Sequence, residues 1–417
     1  MVKDKKRIIG ALDIGTSKVI ALIGEIQDNG EIQIIGMSQV PSRGLRAGMV
    51  TNIDATTQAI KQAVDEASMM AGCTVNKVIT GIAGNHIRSM NSQGVVRIKD
   101  GEVTEDDIDR AIETAKTVSI PPEHEILHTV VQEYIIDNHP GVRDPIGMSG
   151  IRLDTRVHII TGSRPALQNI EKCILRCGLE MSKVVLQPLA SGQAVLSDDE
   201  KELGVCVIDI GGGTTDIAVY TNGAIRHTAV IGMAGDLITN DLSIALRTPS
   251  SAAEQIKTNY GAVYPTVPGL DEMVEVLGVG DRPSRQISRE GLARVIEPRV
   301  TEIFEFVQYE LRRSGFSEDV LTSGIVLTGG TAMLEGIVEL AEDFFGLPAR
   351  VGVPTEMLGV SGNIRNPRNA TVVGLLYAAL HDDRNGNTDL GLPMYEVHHK
   401  AKEGFWKRLK NWCLGNY

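Results

Sequence analysis

One pattern occurs twice in this chain, and it limits what the chain can fold into. Ala11-Leu-Asp13-Ile-Gly15-Thr16-Ser17-Lys18-Val-Ile-Ala21 is matched by Val207-Ile-Asp209-Ile-Gly211-Gly212-Gly213-Thr214-Thr215-Asp216-Ile-Ala218. Each copy reads as an apolar strand, an Asp, one apolar residue, a tight turn of Gly and hydroxyl residues, and a second apolar strand. A single copy is ordinary hairpin chemistry. Two copies in one chain, each flanked by strands on both sides, are much harder to explain as turn chemistry alone.

The residue types in the turns fit phosphate. Gly lets backbone N–H groups approach an anion with no Cβ in the way. Thr16, Ser17, Thr214 and Thr215 add hydroxyl donors. Lys18 offers a point cation. A triphosphate also needs a divalent cation, and Mg²⁺ keeps most of its water and takes few carboxylates. Asp13 and Asp209, one per hairpin, are therefore read as holding a hydrated Mg²⁺ from two sides.

Further on, Ile325-Val-Leu-Thr328-Gly329-Gly330-Thr331 reads as a strand entering a Gly pair and then a helix, Ala332–Phe344, a corner that suits a nucleotide. Two otherwise apolar segments, Leu189-Ala190-Ser191-Gly192 and Thr371-Val-Val-Gly374-Leu-Leu, carry small residues. Small side chains let two helices cross closely, and such a crossing can serve as a hinge.

Other elements fall between these signals. Asp54–Ala71 has a helical period. In 85–160, short β-like runs surround one helix, Glu105–Lys116, N-capped by Thr104, as in a small inserted α+β domain. Residues 236–300 read as mostly helical, broken by a Pro/Gly-rich stretch, and a long helix is predicted over Glu297–Arg313.

Composition excludes more than it assigns. The chain has 417 residues and a formal net charge of −12, so its surface repels nucleic acid, and no nucleic-acid partner is expected. The five cysteines are odd in number and mostly set in apolar runs, which fits packed thiols in a reducing compartment. Asp13 and Lys18 interrupt the first apolar run, which argues against a signal peptide. No run is long enough to span a bilayer. A cytosolic protein is expected. His124 and His128 are four apart, but Pro122 and Glu125 suggest a solvated loop and strand rather than a metal site.

Taken in order, these elements resemble the actin, sugar-kinase and 70-kDa chaperone ATPase superfamily: phosphate 1 (Asp13–Lys18), connect 1 (about Gln187–Leu196), phosphate 2 (Asp209–Asp216), adenosine (Ile325–Ala332) and connect 2 (about Asn369–Leu380). The nearer resemblance is to the FtsA family of bacterial cell-division proteins, through Pro41-Ser-Arg43-Gly44 with Gly48-Met-Val50, through the segment His128–Asp137 to His158–Thr161, and through Val295-Ile-Glu297-Pro298-Arg299.

The resemblance implies an actin-like two-lobed α/β fold of duplicated ribonuclease-H-like domains. It divides the chain into subdomain 1A (1–84 and 162–196), an inserted subdomain 1C (85–161), subdomain 2A (197–235 and 301–365), subdomain 2B (236–300), a 1A closing helix (366–381), a flexible linker (382–402) and a membrane-targeting amphipathic helix (403–417). It implies ATP with Mg²⁺ as ligand, self-assembly into filaments, docking of the tubulin-like protein FtsZ on 2B, and other division proteins at 1C. Gly235-Asp236 is expected to approach the nucleotide, and Glu254 and Lys257 its ribose and adenine. Arg285, Arg289 and Arg299 are candidates to meet an acidic partner. Many hydrolytic relatives place a carboxylate before the Pro that opens connect 1. Here the pair is Gln187-Pro188, and an amide positions water without taking its proton. At most slow ATP turnover is expected.

The C-terminus reads Phe405-Trp406-Lys407-Arg408-Leu409-Lys410-Asn-Trp412-Cys413. On a helix, Phe405, Trp406, Leu409 and Trp412 share one face and Lys407, Arg408 and Lys410 lie elsewhere. Both tryptophans of the chain are here. This is the pattern of a helix lying on anionic lipid, which would put the protein on the inner face of the cytoplasmic membrane at the division site. A small-molecule kinase or a pilus-assembly adaptor on the same fold are the alternatives. A chaperone ATPase would need a substrate domain that the residues after connect 2 are too few to form.

Overall fold

The computed structural model describes residues 7–263, 267–280, 282–355, 358–359, 364–384 and 395–396. The chain opens with the hairpin β1 (Arg7–Ile14) and β2 (Lys18–Ile26), followed by β3 (Ile32–Pro41). The short pair β4 (Leu45–Arg46) and β5 (Met49–Val50) leads to α1 (Ile53–Ala71) and β6 (Lys77–Ile82). The predicted period of α1 is the buried face: Ala59, Ile60, Ala63, Val64 and Ala67. Asn52 caps it by accepting from the Ala55 N–H, and Gly72 ends it at φ 64. Burying Ile60 alone contributes roughly 2 kcal/mol.

The insert follows as β7 (Arg88–Arg97), α2 (Glu105–Ala115), β8 (His124–Ile136), β9 (His139–Val142) and β10 (Arg152–Ser163), a sheet ordered β7-β10-β8-β9. Thr104 caps α2 as expected, within a reciprocal capping box with Asp107. The chain then returns through α3 (Arg164–Arg176), β11 (Glu180–Leu186), α4 (Gln187–Val195) and α5 (Asp198–Leu203).

A second half repeats the opening. The hairpin β12 (Val205–Ile210) and β13 (Thr215–Thr221) is followed by β14 (Ala224–Ile231). Then come α6 (Gly235–Leu246), α7 (Ser250–Tyr260), β15 (Met273–Val276), β16 (Arg285–Ser288) and α8 (Arg289–Arg313). The half closes with β17 (Ile325–Thr328), α9 (Ile337–Phe345) and β18 (Ala349–Val351). Strand β19 (Leu358–Gly359), helix α10 (Ala370–Arg384) and β20 (Tyr395–Glu396) belong to the first half. The two large sheets are ordered β19-β3-β2-β1-β6-β11-β20 and β14-β13-β12-β17-β18. In both, the second strand of the hairpin and its first strand lie side by side, and a parallel strand follows the first: β6 beside β1, β17 beside β12. One apolar core, around Leu12, Ile60 and Leu186, centres on the first half and extends to Val207 and Ala218 of the second; the other, around Ile208, Phe304 and Leu327, lies within the second half.

Four expectations change. The stretch 236–300 holds the hairpin β15–β16 as well as helices. The long helix starts at Arg289, not Glu297, because Ser288 caps it and Pro298 is carried inside the helix. The helix expected over Ala332–Phe344 is split: a 3-10 turn spans Thr331–Met333, Gly336 takes φ 83, and α9 begins only at Ile337. His124 and His128 are not solvated. Both are buried in β8, where His124 meets the Thr161 hydroxyl and the His128 ring accepts the Leu186 N–H at 3.0 Å.

Of the segment read as a linker, 382–402, α10 runs on to Arg384, and Tyr395–Glu396 pair antiparallel with β11. The tail residues Phe405, Trp406, Lys407, Arg408, Leu409, Lys410 and Trp412 lie outside the described residues. No helix among the described residues is long and apolar enough to cross a membrane.

Candidate functional site: a cleft between two matching turns

The sequence repeat is a structural repeat down to its hydrogen bonds. Gly15 N–H donates to the Lys18 carbonyl at 2.9 Å, and Gly211 N–H donates to the Thr214 carbonyl at 2.9 Å. The two turns face each other. A Cβ placed on Gly213 would lie 2.5 Å from Thr16 Oγ1, and one on Gly212 would lie 2.8 Å from Ser17 Oγ. Only glycine permits this approach.

The space between the turns has two chambers. The first is lined by both turns and, at its base, by Asp13, Asp209 and Asp216, with Gln187, Gly329 and Thr371 beside them. The second is lined by Asp236, Glu254, Lys257, Thr258 and Thr331. Ser17, Lys18, Gly211, Gly212, Gly330 and Arg368 line both, so the chambers join there.

Asp13 and Asp209 are each 6% exposed. Helix α4 holds both from one side. The Gln187 amide donates to Asp13 at 2.9 Å, and one turn later the Ser191 hydroxyl donates to Asp209 at 2.5 Å. Thr371, on α10, also donates to Asp209. Gly329, at φ 87, leaves room for Asp209, since a Cβ there would be 2.3 Å from its carboxylate.

Burial pushes the Asp13 carboxyl up to about 6; Lys18 pulls it back in part and the Asp209 charge adds to the rise. Burial raises Asp209 as well, against hydrogen bonds from Ser191 and Thr371. Asp216 is raised further, by burial first and then by Asp209, and one of its oxygens has no hydrogen-bond partner. Burial lowers Lys18 to about 8, with Asp13 opposing and Arg368 reinforcing the fall. These acids need a cation, and Lys18 needs an anion. Among the described residues no ready group of three or more metal ligands exists. Asp13 and Asp209 are the residues that could hold a cation, through its water shell.

The second chamber is organised by the start of α6. Gly235 and Asp236 N–H donate to the carbonyls of Gly211 and Gly212 at 3.1 and 2.7 Å, which docks α6 onto the second turn. Lys257 bonds the Gly235 carbonyl and pairs with Glu254 at 2.7 Å. Burial raises Asp236, with Lys257 opposing.

Nearly every residue singled out in the sequence for the nucleotide lines this cleft. Thr215 does not: it is buried, and its hydroxyl donates to the Met233 carbonyl at 2.7 Å. Gly235 supports the cleft from behind rather than lining it. The Thr331 hydroxyl lines it but is bound to the Gly211 carbonyl. Arg285, Arg289 and Arg299 are far from it in role: Arg285 donates to the Leu246 carbonyl, Arg289 pairs with Glu335, and Arg299 pairs with Asp241 and Glu302. Sequence reasoning passed over Gly48, Gly81, Arg368 and Thr371 as site residues. Asp216 was visible inside the repeat but had no role there.

Two halves built on one strand-turn-strand unit, closing on a cleft of phosphate-type turns and buried acids, define an actin-like two-lobed protein. A family model described as cell division protein FtsA matches residues 206–374, and one described as SHS2 domain inserted in FTSA matches 84–161. The chain is 61% identical to the cell division protein FtsA of Neisseria meningitidis serogroup B, covering 100% of both chains. It is 51% identical to that of Pseudomonas aeruginosa, covering 100% of this chain and 99% of the relative. The chain belongs to the FtsA family of cell-division proteins.

Among solved structures it is similar to the PilM-PilN type IV pilus biogenesis complex, with a TM-score of 0.65 and 18% identity, covering 89% of this chain and 98% of that one. It is also similar to MreB5 of Spiroplasma citri bound to ADP, with a TM-score of 0.55 and 18% identity, covering 91% and 99%. These likenesses bear on fold alone. The full-length matches are to division proteins, which disfavours the kinase and pilus-adaptor alternatives.

Proposed function

We propose that this chain binds ATP with Mg²⁺ in the cleft and works as an actin-like cell-division protein. In this reading it assembles with copies of itself, joins the tubulin-like protein FtsZ to the inner face of the cytoplasmic membrane, and meets later division proteins through its insert. One observation carries the nucleotide reading: the two turns face each other across Thr16 and Gly213, and Lys18 and the three buried acids Asp13, Asp209 and Asp216 line the same chamber.

The residues divide the work by chemistry. The Gly-rich turns and the Ser17 hydroxyl hold phosphate oxygens, Lys18 answers their charge, and the Thr214 hydroxyl donates to Asp216 at 3.1 Å instead. Asp13 and Asp209 orient the water around the cation. Mg²⁺, when bound, offsets the charge that the phosphates and the acids share. Asp236, Glu254 and Lys257 face the nucleoside end. Gln187 fixes Asp13, and its amide can orient a water without taking a proton from it, so turnover is slow. Helices α4 and α10 cross between the halves and act as the hinge that lets the nucleotide set their angle.

Membrane attachment rests on the tail sequence. Its anchoring side chains are few, so one copy binds weakly and a filament binds firmly through effective concentration. Calorimetric titration of ATP into the full chain, with and without Mg²⁺, tests the nucleotide reading. Saturable binding strengthened by Mg²⁺ is expected. No binding at millimolar ATP would overturn it. A steady-state phosphate-release assay tests the slow turnover, and fast release by the unassembled protein would contradict it.

A further inference from the structure

The two chambers of the cleft join at Arg368. It sits in the 3-10 turn Pro367–Asn369, just before α10. The backbone of this turn is fixed from both halves. Asn366 accepts the Arg368 N–H at 3.0 Å, and Lys18 Nζ donates to the Arg368 carbonyl at 2.7 Å. The Gly329 N–H and the Thr328 hydroxyl donate to the Pro367 carbonyl. None of these bonds uses the Arg368 side chain. That side chain lies over Gly330: a Cβ placed there would find only Arg368 Cγ and Nε, at 3.8 and 3.9 Å.

Among the described residues, no carboxylate pairs with the Arg368 guanidinium. Its charged neighbour is Lys18, whose ammonium it makes harder to keep protonated. Two cations are thus held together by backbone bonds, and the nearby acids Asp13 and Asp209 act on Lys18 while no acid pairs with Arg368 among the described residues. An anion bearing several charges would answer both cations. A guanidinium also presents a planar fork that matches a phosphate group, which an ammonium does not.

We propose that Arg368 reads phosphate charge where the two chambers meet, its guanidinium acting with Lys18 to bind the polyphosphate of a nucleoside di- or triphosphate. This rests on the nucleotide reading above. Arg368 thereby ties the bound polyphosphate to α10, the helix it precedes. The base and sugar are left to Asp236, Glu254 and Lys257.

The test is equilibrium binding of ATP, ADP, adenosine and inorganic tripolyphosphate to the full chain, comparing wild type with Arg368→Ala, Arg368→Gln and Arg368→Lys. Wild type is expected to bind ATP and tripolyphosphate. Arg368→Ala and Arg368→Gln should weaken both by about tenfold or more and leave adenosine within about twofold, and Arg368→Lys should recover part of the loss. The alkaline limb of the ATP-affinity profile, set by Lys18, should move to higher pH in Arg368→Gln. ATP affinity unchanged in both neutral variants would overturn the proposal. So would an equal loss for adenosine and ATP, which would make the side chain a platform for the base. Wild type binding no nucleotide would instead overturn the nucleotide reading itself.

Discussion

Gly374 on α10 lies against Ala190 on α4 so closely that a Cβ on the glycine would sit 1.8 Å from the Ala190 carbonyl oxygen. The clash is with backbone, so no side-chain movement relieves it. The next residue along α4, Ser191, reaches Asp209, and Thr371, about one turn before Gly374, reaches the same carboxylate from α10. The helix crossing and the acid of the second turn are one unit.

Gly374→Leu is therefore expected to push α4 and α10 apart and to cost about 3 kcal/mol or more. Thermal melting should show a drop of several degrees. Nucleotide affinity should fall with it, because Asp209 loses its anchors. Unchanged melting and binding would mean that the crossing is loose.

The pH dependence of nucleotide affinity follows from Asp13 and Lys18. In the free protein the carboxyl titrates near 6 and the ammonium near 8. Mg²⁺ needs the carboxylate and phosphate needs the ammonium. Affinity for Mg²⁺-ATP should be highest between pH 6 and 8 and fall on either side. A flat profile from pH 5 to 9 would contradict this.

The same shift has a stability sign. Asp13 titrates above its ordinary value in the folded chain, so the folded state holds its proton more tightly. Its favourable contribution is present below about pH 4 and lost as pH rises through about 6. Asp13→Asn removes that loss and keeps an acceptor for Gln187. The ligand-free variant should melt a few degrees higher than wild type at pH 7, by on the order of 2–3 kcal/mol, with the gain gone near pH 4. Its Mg²⁺-dependent gain in ATP affinity should fall about tenfold or more.

Much of this site was legible because the fold is duplicated. Asp13 and Asp209 could be paired in the sequence since each stands two residues before a Gly turn, and a repeated turn is hard to explain by loop chemistry. Arg368 and Thr371 left no such trace. They reach the cleft only because α10 returns to the first half after a long excursion through the second. Thr215 misled because alternation along β13 points its side chain away from its neighbour Thr214, toward Met233. The start of α8 was hidden by Pro298, which usually marks a helix boundary and here is carried inside. His124 and His128 looked solvated beside Pro122 and Glu125, yet both are buried in β8, where the Thr161 hydroxyl on β10 meets one ring and the Leu186 N–H on β11 donates to the other.

Removal of 404–417, or Trp406→Glu, should abolish co-sedimentation with anionic liposomes while ATP binding persists. Persistence of sedimentation in both variants would place lipid binding elsewhere. Loss that follows only from loss of self-assembly would show as restored binding at high protein concentration.

The most direct measurement is a crystal structure of the full chain with Mg²⁺ and a non-hydrolysable ATP analogue. The triphosphate should lie between the turn at Gly15–Lys18 and the turn at Gly211–Thr214, with the cation's water shell facing Asp13 and Asp209. An analogue bound outside this cleft, or a cation remote from both carboxylates, would contradict the account.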